Sequence, residues 1–289
     1  MTVAYIILSF VLAEAQADSS VAKINEADVI TVMSYNIRFD NPNDGINAWP
    51  YRKDHVAEMM GPDKYGTDIV GVQEALRHQL DELQERLPNY DWVGVGRDDG
   101  KDAGEFSPIF YRIDRFSLVA TNTFWLSESP DYPGSKSWDT AITRIVTWAR
   151  FSDTQTGKDF YVLNTHFDHR GQQARYESSK MIIEKIGLMD PAIPVIVTGD
   201  LNVTEGNDAY KLIRDAESLH DARYVSETGH QGPTATFNNW EELRPPESRI
   251  DYIFVSDGIR VLNHRILDDR YDDRFPSDHL PVISDIVLQ

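Results

Sequence analysis

The fold is decided by the stretch Ile193-Pro194-Val195-Ile196-Val197-Thr198-Gly199-Asp200-Leu201-Asn202. A short β-branched run that ends in glycine and polar residues predicts a buried strand that delivers side chains to the edge of a sheet. Asp200 and Asn202 point to the same face if the chain stays extended, because strand side chains alternate. A carboxylate can accept a proton and an amide can both donate and accept, so the pair can do chemistry or can simply form a turn.

Five further apolar runs end in polar residues of the same kind. They are Asn36, Gln73-Glu74, Asn164-Thr165-His166, Asp251 and Ser277-Asp278-His279. A single Asp after an apolar strand is ordinarily a turn former. Six such ends, built on acid, amide and imidazole groups and without a lysine, predict instead a shared site.

The order of the apolar segments predicts the fold class. Strand and helix patterns alternate at first, and strands then follow one another with few helices between them. This order indicates an α/β (α+β) four-layer sandwich, in which two packed sheets, mixed but mostly antiparallel, are flanked by helices. The expected elements include a helix that begins near Pro50 and one strand from Ile259 to Ile266.

The chain divides into three predicted parts. Residues 1–17 contain an apolar run and the small-x-small sequence Ala15-Gln16-Ala17, which predict a cleaved export signal although no Lys or Arg precedes the run. Residues 18–28 form a polar linker, and residues 29–289 form one domain, because no repeat or Pro/Gly/Ser-rich segment interrupts them. We expect an exported (periplasmic or extracellular) monomer with no integral membrane segment in the mature chain. If residues 1–17 form an N-terminal arm instead, the protein is cytoplasmic.

The composition excludes several classes of site. The 289 residues include 47 acidic and 28 basic ones, which gives a formal net charge of −19. A uniformly acidic surface opposes non-specific binding to nucleic acid, whose affinity comes mostly from Lys and Arg. It also fits carboxylates that are gathered around a cation. There is no cysteine, so disulfides, thiolate nucleophiles and cysteine-bound metals are excluded.

The acid and amide groups at the strand ends suit a hard cation. Asn36, Glu74, Asp251 and Asp278 are oxygen ligands, or neighbours of ligands, of the kind that bind Mg²⁺, Mn²⁺ or Ca²⁺. With few protein ligands, Mg²⁺ keeps its waters and takes oxygens from the substrate, which points to phosphate esters.

A phosphoryl centre also needs a base for the attacking water and a cationic donor for the developing negative charge. Asp200, held by Asn202, can be the base. His279 would stay protonated near neutral pH if a carboxylate paired with it, and could then donate to the phosphate.

The motifs, taken together, resemble one known group of enzymes. The matching segments are Ser34-Tyr35-Asn36-Ile37, Val72-Gln73-Glu74, Asn164-Thr165-His166, Thr198-Gly199-Asp200-Leu201-Asn202, Arg249-Ile250-Asp251-Tyr252-Ile253-Phe254 and Ser277-Asp278-His279. In that order they are similar to the endonuclease/exonuclease/phosphatase superfamily, with its deoxyribonuclease I-like fold, over Val29 to Leu288. The sequence most resembles the bacterial exported branch of that superfamily, which is related to the carbon-catabolite-repression deadenylases.

The resemblance implies a metal site and a reaction centre. It implies Glu74 as the principal ligand of Mg²⁺, with Mn²⁺ as a substitute and Ca²⁺ as an alternative. Asn36 would lie beside Glu74 in the metal site, and Asp278 would be a further metal-linked acid. In the reaction centre, Asp200 would orient or deprotonate the attacking water, with Asn202 as its partner.

The remaining implied roles concern the histidines and the phosphate. Asp251 would hydrogen-bond the catalytic His279, and both His279 and His166 would contact the phosphate. Arg144 lies where some members place a phosphate-contacting arginine. Tyr111 lies where many members place a phosphate-binding tyrosine, although a core aromatic fits that position equally well.

These features predict a metal-dependent phosphoesterase that hydrolyses phosphodiesters or phosphomonoesters through in-line attack by an activated water. The substrate could be a nucleic acid, nucleotide, sugar phosphate or lipid headgroup, and a 3′–5′ exonuclease-like nuclease falls within this range. The alternative is a non-catalytic member that binds a lipid or sugar-phosphate headgroup in the same cleft. His166-Phe167-Asp168-His169 resembles half of a dinuclear zinc motif, but Asn164-Thr165 leaves no upstream histidine pair.

Overall fold

Two β-sheets pack face to face, and helices cover their outer faces. The computed structural model describes residues 25–241 and 249–289. The predicted export signal, 1–17, and most of the predicted linker lie outside the described residues. Within them, no helix is long and apolar enough to cross a membrane.

The elements follow one another in an order close to the predicted one. The described strands are β1 (Val29–Asn36), β2 (Ile69–Gln73), β3 (Tyr90–Val93), β4 (Ile109–Arg112), β5 (Phe116–Trp125), β6 (Ile145–Asp153), β7 (Asp159–His166), β8 (Val195–Asp200), β9 (His220–Asp221), β10 (His230–Gln231), β11 (Asp251–Val255), β12 (Ile259–Val261), β13 (His264–Ile266) and β14 (Val282–Leu288). The α-helices are α1 (Lys53–Met60), α2 (Pro62–Tyr65), α3 (Arg77–Arg86), α4 (Gln172–Ile186), α5 (Asp208–Arg214) and α6 (Ala222–Val225). Short 3₁₀ helices cover Glu26–Asp28, Pro42–Asn47 and Trp49–Tyr51.

Both sheets mix parallel and antiparallel pairs. The first sheet has the strand order β10-β13-β14-β1-β2-β4-β3, with β12 also paired to β14. The second has the order β5-β6-β7-β8-β11-β9. Parallel pairing joins β1 to β2 and β7 to β8, and most other pairs are antiparallel.

Three apolar clusters produce the four layers. One lies between the sheets and includes Val32 and Ile69 from the first sheet with Phe151 and Ile196 from the second. The other two lie on the outer faces, under α1 and α3 on one side and under α4 and α5 on the other. The predicted four-layer sandwich is therefore confirmed.

Two predicted elements were wrong in detail. The strand expected from Ile259 to Ile266 is broken into β12 and β13, because the chain between them bonds to Asp285 of β14 through Leu262 and Asn263. The helix expected to begin near Pro50 begins at Lys53, after the 3₁₀ turn.

The two sheets also meet through a small polar network near the ends of β2, β7 and β8. Asn164 of β7 accepts hydrogen bonds from Gln73 (2.7 Å) and Thr198 (3.0 Å), and donates to the backbone of Val72 (2.6 Å). Asn164, which the sequence placed among the polar strand ends, therefore joins the sheets beneath the site.

Candidate active site

The predicted polar strand ends meet at one edge of the sandwich. The parallel strands β1 and β2 bring Asn36 and Glu74 to this edge, and the parallel strands β7 and β8 bring His166 and Asp200. Because β11 runs antiparallel to β8, with Asp251 opposite Asp200 in register, Asp251 reaches the same edge.

A cleft of about 470 Å³ opens over these strand ends. Its lining includes most of the predicted site residues, namely Glu74, Arg144, His166, Asp200, Asn202, Asp278 and His279. Asn36 and Asp251 are buried directly behind the lining, at 0% and 1% exposure. The structure therefore brings together nine of the ten residues that the sequence singled out.

A buried ion pair holds His279. The Nδ1 atom of His279 lies 2.9 Å from Oδ2 of Asp251, and Phe237 packs edge-on against the imidazole, with the ring centroids 5.1 Å apart. Burial opposes the charged imidazolium, but Asp251 and Asp200 outweigh it and raise the pKa of His279 well above its ordinary value. His279 is therefore a cation at neutral pH.

Asp200 has the properties of a general base. It is 1% exposed, and burial together with the charge of Asp251 raises its pKa to about 7. Its Oδ2 atom lies 3.8 Å from Nε2 of His279 and accepts a hydrogen bond from Asn36 (3.0 Å). A pKa near the working pH is what general-base catalysis requires.

Asn202 lies two residues beyond the end of β8 and faces the cleft. Its backbone has φ of 51°, a left-handed conformation that Asn tolerates, and its N–H donates to Oδ1 of Asp200 over 2.8 Å. Its side-chain amide donates to Nε2 of His166 over 2.9 Å. The turn that Asp200 and Asn202 suggested is therefore present, and both residues line the cleft.

His166 is neutral. Burial and the nearby Arg144 lower its pKa well below the ordinary value. With Nε2 accepting from Asn202, the proton belongs on Nδ1, which finds no partner among the described residues. His166 can therefore offer an uncharged N–H donor.

Arg144 has unused hydrogen-bonding capacity in the cleft. The residue is 5% exposed, and its Nε and Nη1 atoms find no partner in the described part of the chain. Its Nη2 atom lies 3.4 Å from Nδ1 of His169. Buried donors are almost always satisfied, so this guanidinium calls for an acceptor from outside the protein.

The acidic side of the cleft fits a divalent cation. One ligand atom from each of Glu74, His166 and Asp200 lies within 4.8 Å of the others. Burial raises the pKa of both Asp200 and Asp278, so a cation near them would relieve their crowded negative charge. The carboxylate oxygens on this side suit Mg²⁺ or Mn²⁺, with waters completing the coordination.

Asn36 serves this site differently from the predicted way. Its amide nitrogen donates to both Glu74 (3.1 Å) and Asp200 (3.0 Å), and its oxygen accepts from the backbone of Arg38 (3.0 Å). Asn36 lies beside Glu74 as expected, but in this arrangement it holds two carboxylates in place and offers no oxygen to the cleft.

Tyr111 does not belong to the site. It pairs with Ile69 at the start of β2, whereas Glu74 follows the end of that strand. Its ring packs against Phe151 in the core between the sheets, and its hydroxyl lies 3.4 Å from Asp91. The predicted role was wrong because the register of β4 places this residue at the opposite end of the sheet.

Several cleft residues were not identified as site residues from the sequence. They are Arg38, Phe39, Asp44, Glu105, Ile142, His169, Phe237, Asn239, Trp240 and Ile250. Asn239 and Trp240 both have left-handed backbone, and the Asn238-Asn239 pair was the available signal for such a turn. Nothing in the sequence places Trp240 over the cleft.

The arginines near the cleft differ in what they can bind. Arg97 pairs with Glu105 through both carboxylate oxygens (2.5 and 2.9 Å), and Arg38 pairs in the same way with Asp44 (3.0 and 3.2 Å). Arg144 has more unused donors than Arg97: its Nε and Nη1 atoms have no partner among the described residues, whereas for Arg97 this holds for Nε alone.

In the half-motif His166-Phe167-Asp168-His169, the Asp168 carboxylate is occupied by hydrogen bonds from the backbone. Asp168 accepts hydrogen bonds from four backbone N–H groups, those of Ala141, Ile142, Arg170 and Gly171. These bonds lower the pKa of Asp168 to about 2 in spite of burial. Asp168 therefore shapes the loop at the rim of the cleft.

Comparison with known proteins agrees with this geometry. The model of the endonuclease/exonuclease/phosphatase family matches residues 33–279. A solved member from Bacteroides vulgatus is 42% identical with a TM-score of 0.85, and the match covers 90% of this chain and 99% of that one. A mannosyl-6-phosphatase from Bacteroides thetaiotaomicron VPI-5482 is 40% identical with a TM-score of 0.86, over 90% and 100% of the two chains.

A more distant structure shares the fold alone. The catalytic domain of human Nocturnin is 22% identical with a TM-score of 0.72, over 91% of this chain and 94% of that one. The family match includes every strand end that forms the cleft, from Asn36 to His279. The architecture is also the deoxyribonuclease I-like sandwich that the resemblance implied. The chain therefore belongs to the endonuclease/exonuclease/phosphatase family.

Proposed function

We propose that this protein is a Mg²⁺- or Mn²⁺-dependent hydrolase of phosphate esters, in which water attacks phosphorus in line without a covalent enzyme intermediate. The observation that carries the proposal is Arg144. A buried guanidinium with two unused donors, in the cleft that also holds a base and a protonated histidine, has the chemistry of a phosphate site. A non-catalytic headgroup-binding protein would not need a carboxyl group with a pKa raised to about 7 beside a histidine whose pKa is also raised.

The residues divide the reaction between them. Asp200 takes the proton of the attacking water, and Asn202 fixes the orientation of the carboxylate through its backbone N–H. His279, held by Asp251, and Arg144 donate to the phosphate oxygens as negative charge develops. When bound near Glu74 and Asp278, the divalent ion would polarise the phosphate and neutralise part of its charge.

For the substrate, we propose a small phosphomonoester with an uncharged, hydroxylated remainder, such as a sugar phosphate. Arg38 and Arg97 are each paired with a carboxylate, so the cleft offers free guanidinium donors for one phosphoryl group rather than for a polyanion. The net charge of −19 also opposes a long nucleic acid. The 40% identity to a mannosyl-6-phosphatase supports the same class.

The location is a separate proposal. The apolar run within residues 1–17 and the Ala15-Gln16-Ala17 sequence support export of the mature chain. N-terminal sequencing of the protein from its native host tests this, since export requires the first residue to lie beyond Ala17.

The function is tested by replacing the base. Asp200→Asn keeps the shape of the side chain and removes the proton acceptor, so we expect kcat to fall about 10²- to 10⁴-fold, the usual contribution of a general base. The substrates are mannose 6-phosphate, p-nitrophenyl phosphate, bis-p-nitrophenyl phosphate and an oligonucleotide, each with Mg²⁺ or Mn²⁺ and with EDTA.

The matched control is Asp208→Asn, because this carboxylate is exposed and, within 25–241 and 249–289, forms an ion pair with Lys211 on the same helix alone. Its activity should equal that of the wild type. An Asp200→Asn protein with wild-type kcat, or a wild-type protein unaffected by EDTA, would contradict the proposal. Preferential cleavage of the oligonucleotide would favour a nuclease instead of a sugar phosphatase.

A further inference from the structure

Arg38 places a fixed positive charge inside the acidic half of the cleft. It lies two residues beyond Asn36, and its backbone has φ of 59°, a left-handed conformation that is uncommon for arginine. Its carbonyl oxygen accepts hydrogen bonds from Arg52 (2.6 Å) and Gln79 (3.1 Å), and its N–H donates to Asn36. The backbone is thus held in a shape that turns the side chain back over the strand ends.

Three carboxylates surround the guanidinium. Asp44 accepts from Nε (3.0 Å) and Nη2 (3.2 Å), and Asn41 donates to the same carboxylate over 2.9 Å. The nearest oxygen of Asp278 lies 3.8 Å from Nε, and that of Glu74 lies 3.9 Å from Nη1. One cation therefore borders both carboxylates that were assigned to the metal.

This arrangement limits how many ions the acidic side can hold. Two-metal phosphoesterases keep their ions about 3.5–4 Å apart and share carboxylates between them. Here a second ion beside Glu74 and Asp278 would meet the Arg38 guanidinium, and the Asp44 oxygens are already occupied. The three carboxylates and the Arg38 guanidinium together carry a net charge of −2, which one divalent ion balances.

On the opposite side of the cleft, the carboxylates already face a positive charge of the protein. Asp200 faces the imidazolium of His279, with Nε2 and Oδ2 3.8 Å apart, and its oxygens accept from Asn36 and Asn202. Each side of the metal position thus already has a cation supplied by the protein.

We propose that Arg38 takes the place of a second metal ion, so that the protein binds one divalent ion per chain. The inference rests on the proposed metal-dependent function. It assigns Arg38 a positioning role: the guanidinium balances the charge of Glu74, Asp278 and Asp44 and leaves the remaining charge for a single ion.

The test is the stoichiometry of Mn²⁺ binding to the metal-free full-length protein, measured by isothermal titration calorimetry. We expect one Mn²⁺ for the wild type and two for Arg38→Ala, because the three carboxylates then lose the guanidinium that contacts them and keep only the charge of Arg52 behind them. Arg38→Gln should also bind two Mn²⁺ ions. Because it keeps much of the side-chain volume, it can replace Arg38→Ala in the test if that variant does not fold. Electron paramagnetic resonance adds a second readout, since two adjacent Mn²⁺ ions couple magnetically.

Two control variants should bind one ion. Arg38→Lys keeps the positive charge, and Arg77→Ala removes an arginine that is paired with two carboxylates, Asp81 and Asp102, on the exposed surface. Two ions in the wild type, or one in both neutral Arg38 variants, would overturn the inference and leave the proposed function standing. No Mn²⁺ binding by the wild type would overturn the metal-dependent function and this inference with it.

Discussion

Asp251 affects two titrating groups at once. Its charge raises the pKa of His279, which must be protonated to donate, and the pKa of Asp200, which must be deprotonated to act as a base. Activity should therefore rise with pH as Asp200 loses its proton and fall at higher pH as His279 loses its own. A bound divalent ion lowers the pKa of Asp200, so the acid limb of the loaded enzyme should lie below pH 7.

Asp251→Asn should move both limbs of the pH profile to lower pH. The amide oxygen can still accept from Nδ1 of His279, so the geometry is kept while the charge is lost. Removal of an opposite charge at this distance shifts a pKa by about 1–3 units, and the alkaline limb, which follows His279, should shift more. The measurement is kcat/KM between pH 5 and 10.

The chain supplies a matched control for this experiment. Asp257 pairs with His220 over the same 2.9 Å, but both side chains are exposed. Asp257→Asn should leave the profile unchanged. If the alkaline limb of the kcat/KM profile does not shift in Asp251→Asn, the loss of the His279 proton is not what causes that limb.

The position of a site residue could be predicted where the residue lies directly at the end or the start of an apolar run. Asp200, Asp251 and His279 each follow or begin an apolar run, and each lies in the cleft or directly behind it. Tyr111 was placed wrongly because its position depends on the register of β4 against β2, which the sequence does not state. The pairing of Arg38 with Asp44 could not be predicted, because it depends on the fold of the loop between them.

At the level of elements, the two sheets approach each other closely at Gly71. This residue lies in β2, and a Cβ added there would sit 2.0 Å from Oγ1 of Thr198 and 2.7 Å from Oδ1 of Asn164. Gly71 has an ordinary strand conformation, so close approach rather than backbone shape requires glycine. The polar network that joins the sheets fits only because this side chain is absent.

Gly71→Ala should destabilise the protein by about 1–3 kcal/mol, the usual cost of overpacking a close-packed interior. The methyl group must displace Thr198 or separate the strands, and either change weakens the bonds to Asn164. Urea unfolding measures the effect. Gly206→Ala is the control, because an added Cβ there meets nothing within 4 Å; equal stability of the two variants would refute the packing argument.

Element types were more predictable than element ends. The apolar run before Asp200 predicts the strand β8, and the leucines at helical spacing from Leu76 to Leu87 predict the helix α3, since burial determines both patterns. The break between β12 and β13 could not be predicted, because it depends on hydrogen bonds to Asp285 in a strand that follows later in the chain.

For the molecule as a whole, the sandwich is held at both ends by polar contacts. The site and the Asn164 network lie at one end. At the other end Arg115, just before β5, bonds to Asp68 before β2 (2.9 Å) and to Asp153 at the end of β6 (3.1 Å). The sequence indicated two packed sheets, but not which strands are neighbours or which charges join them, because these contacts connect distant parts of the chain.

Arg115→Ala should lower the free energy of unfolding by about 3–5 kcal/mol, because it removes the cation paired with buried Asp153 and the nearer of the two arginines paired with buried Asp68, the other being Arg112 at 3.3 Å. The kcat of the folded fraction should be unchanged, since this network lies at the opposite end of the sheets from the cleft. Urea unfolding and kcat are measured together. Arg77→Ala removes two exposed ion pairs and should cost no more than about 1 kcal/mol. If both variants lose the same free energy of unfolding, the buried ion pairs of Arg115 contribute no more to stability than the exposed ion pairs of Arg77.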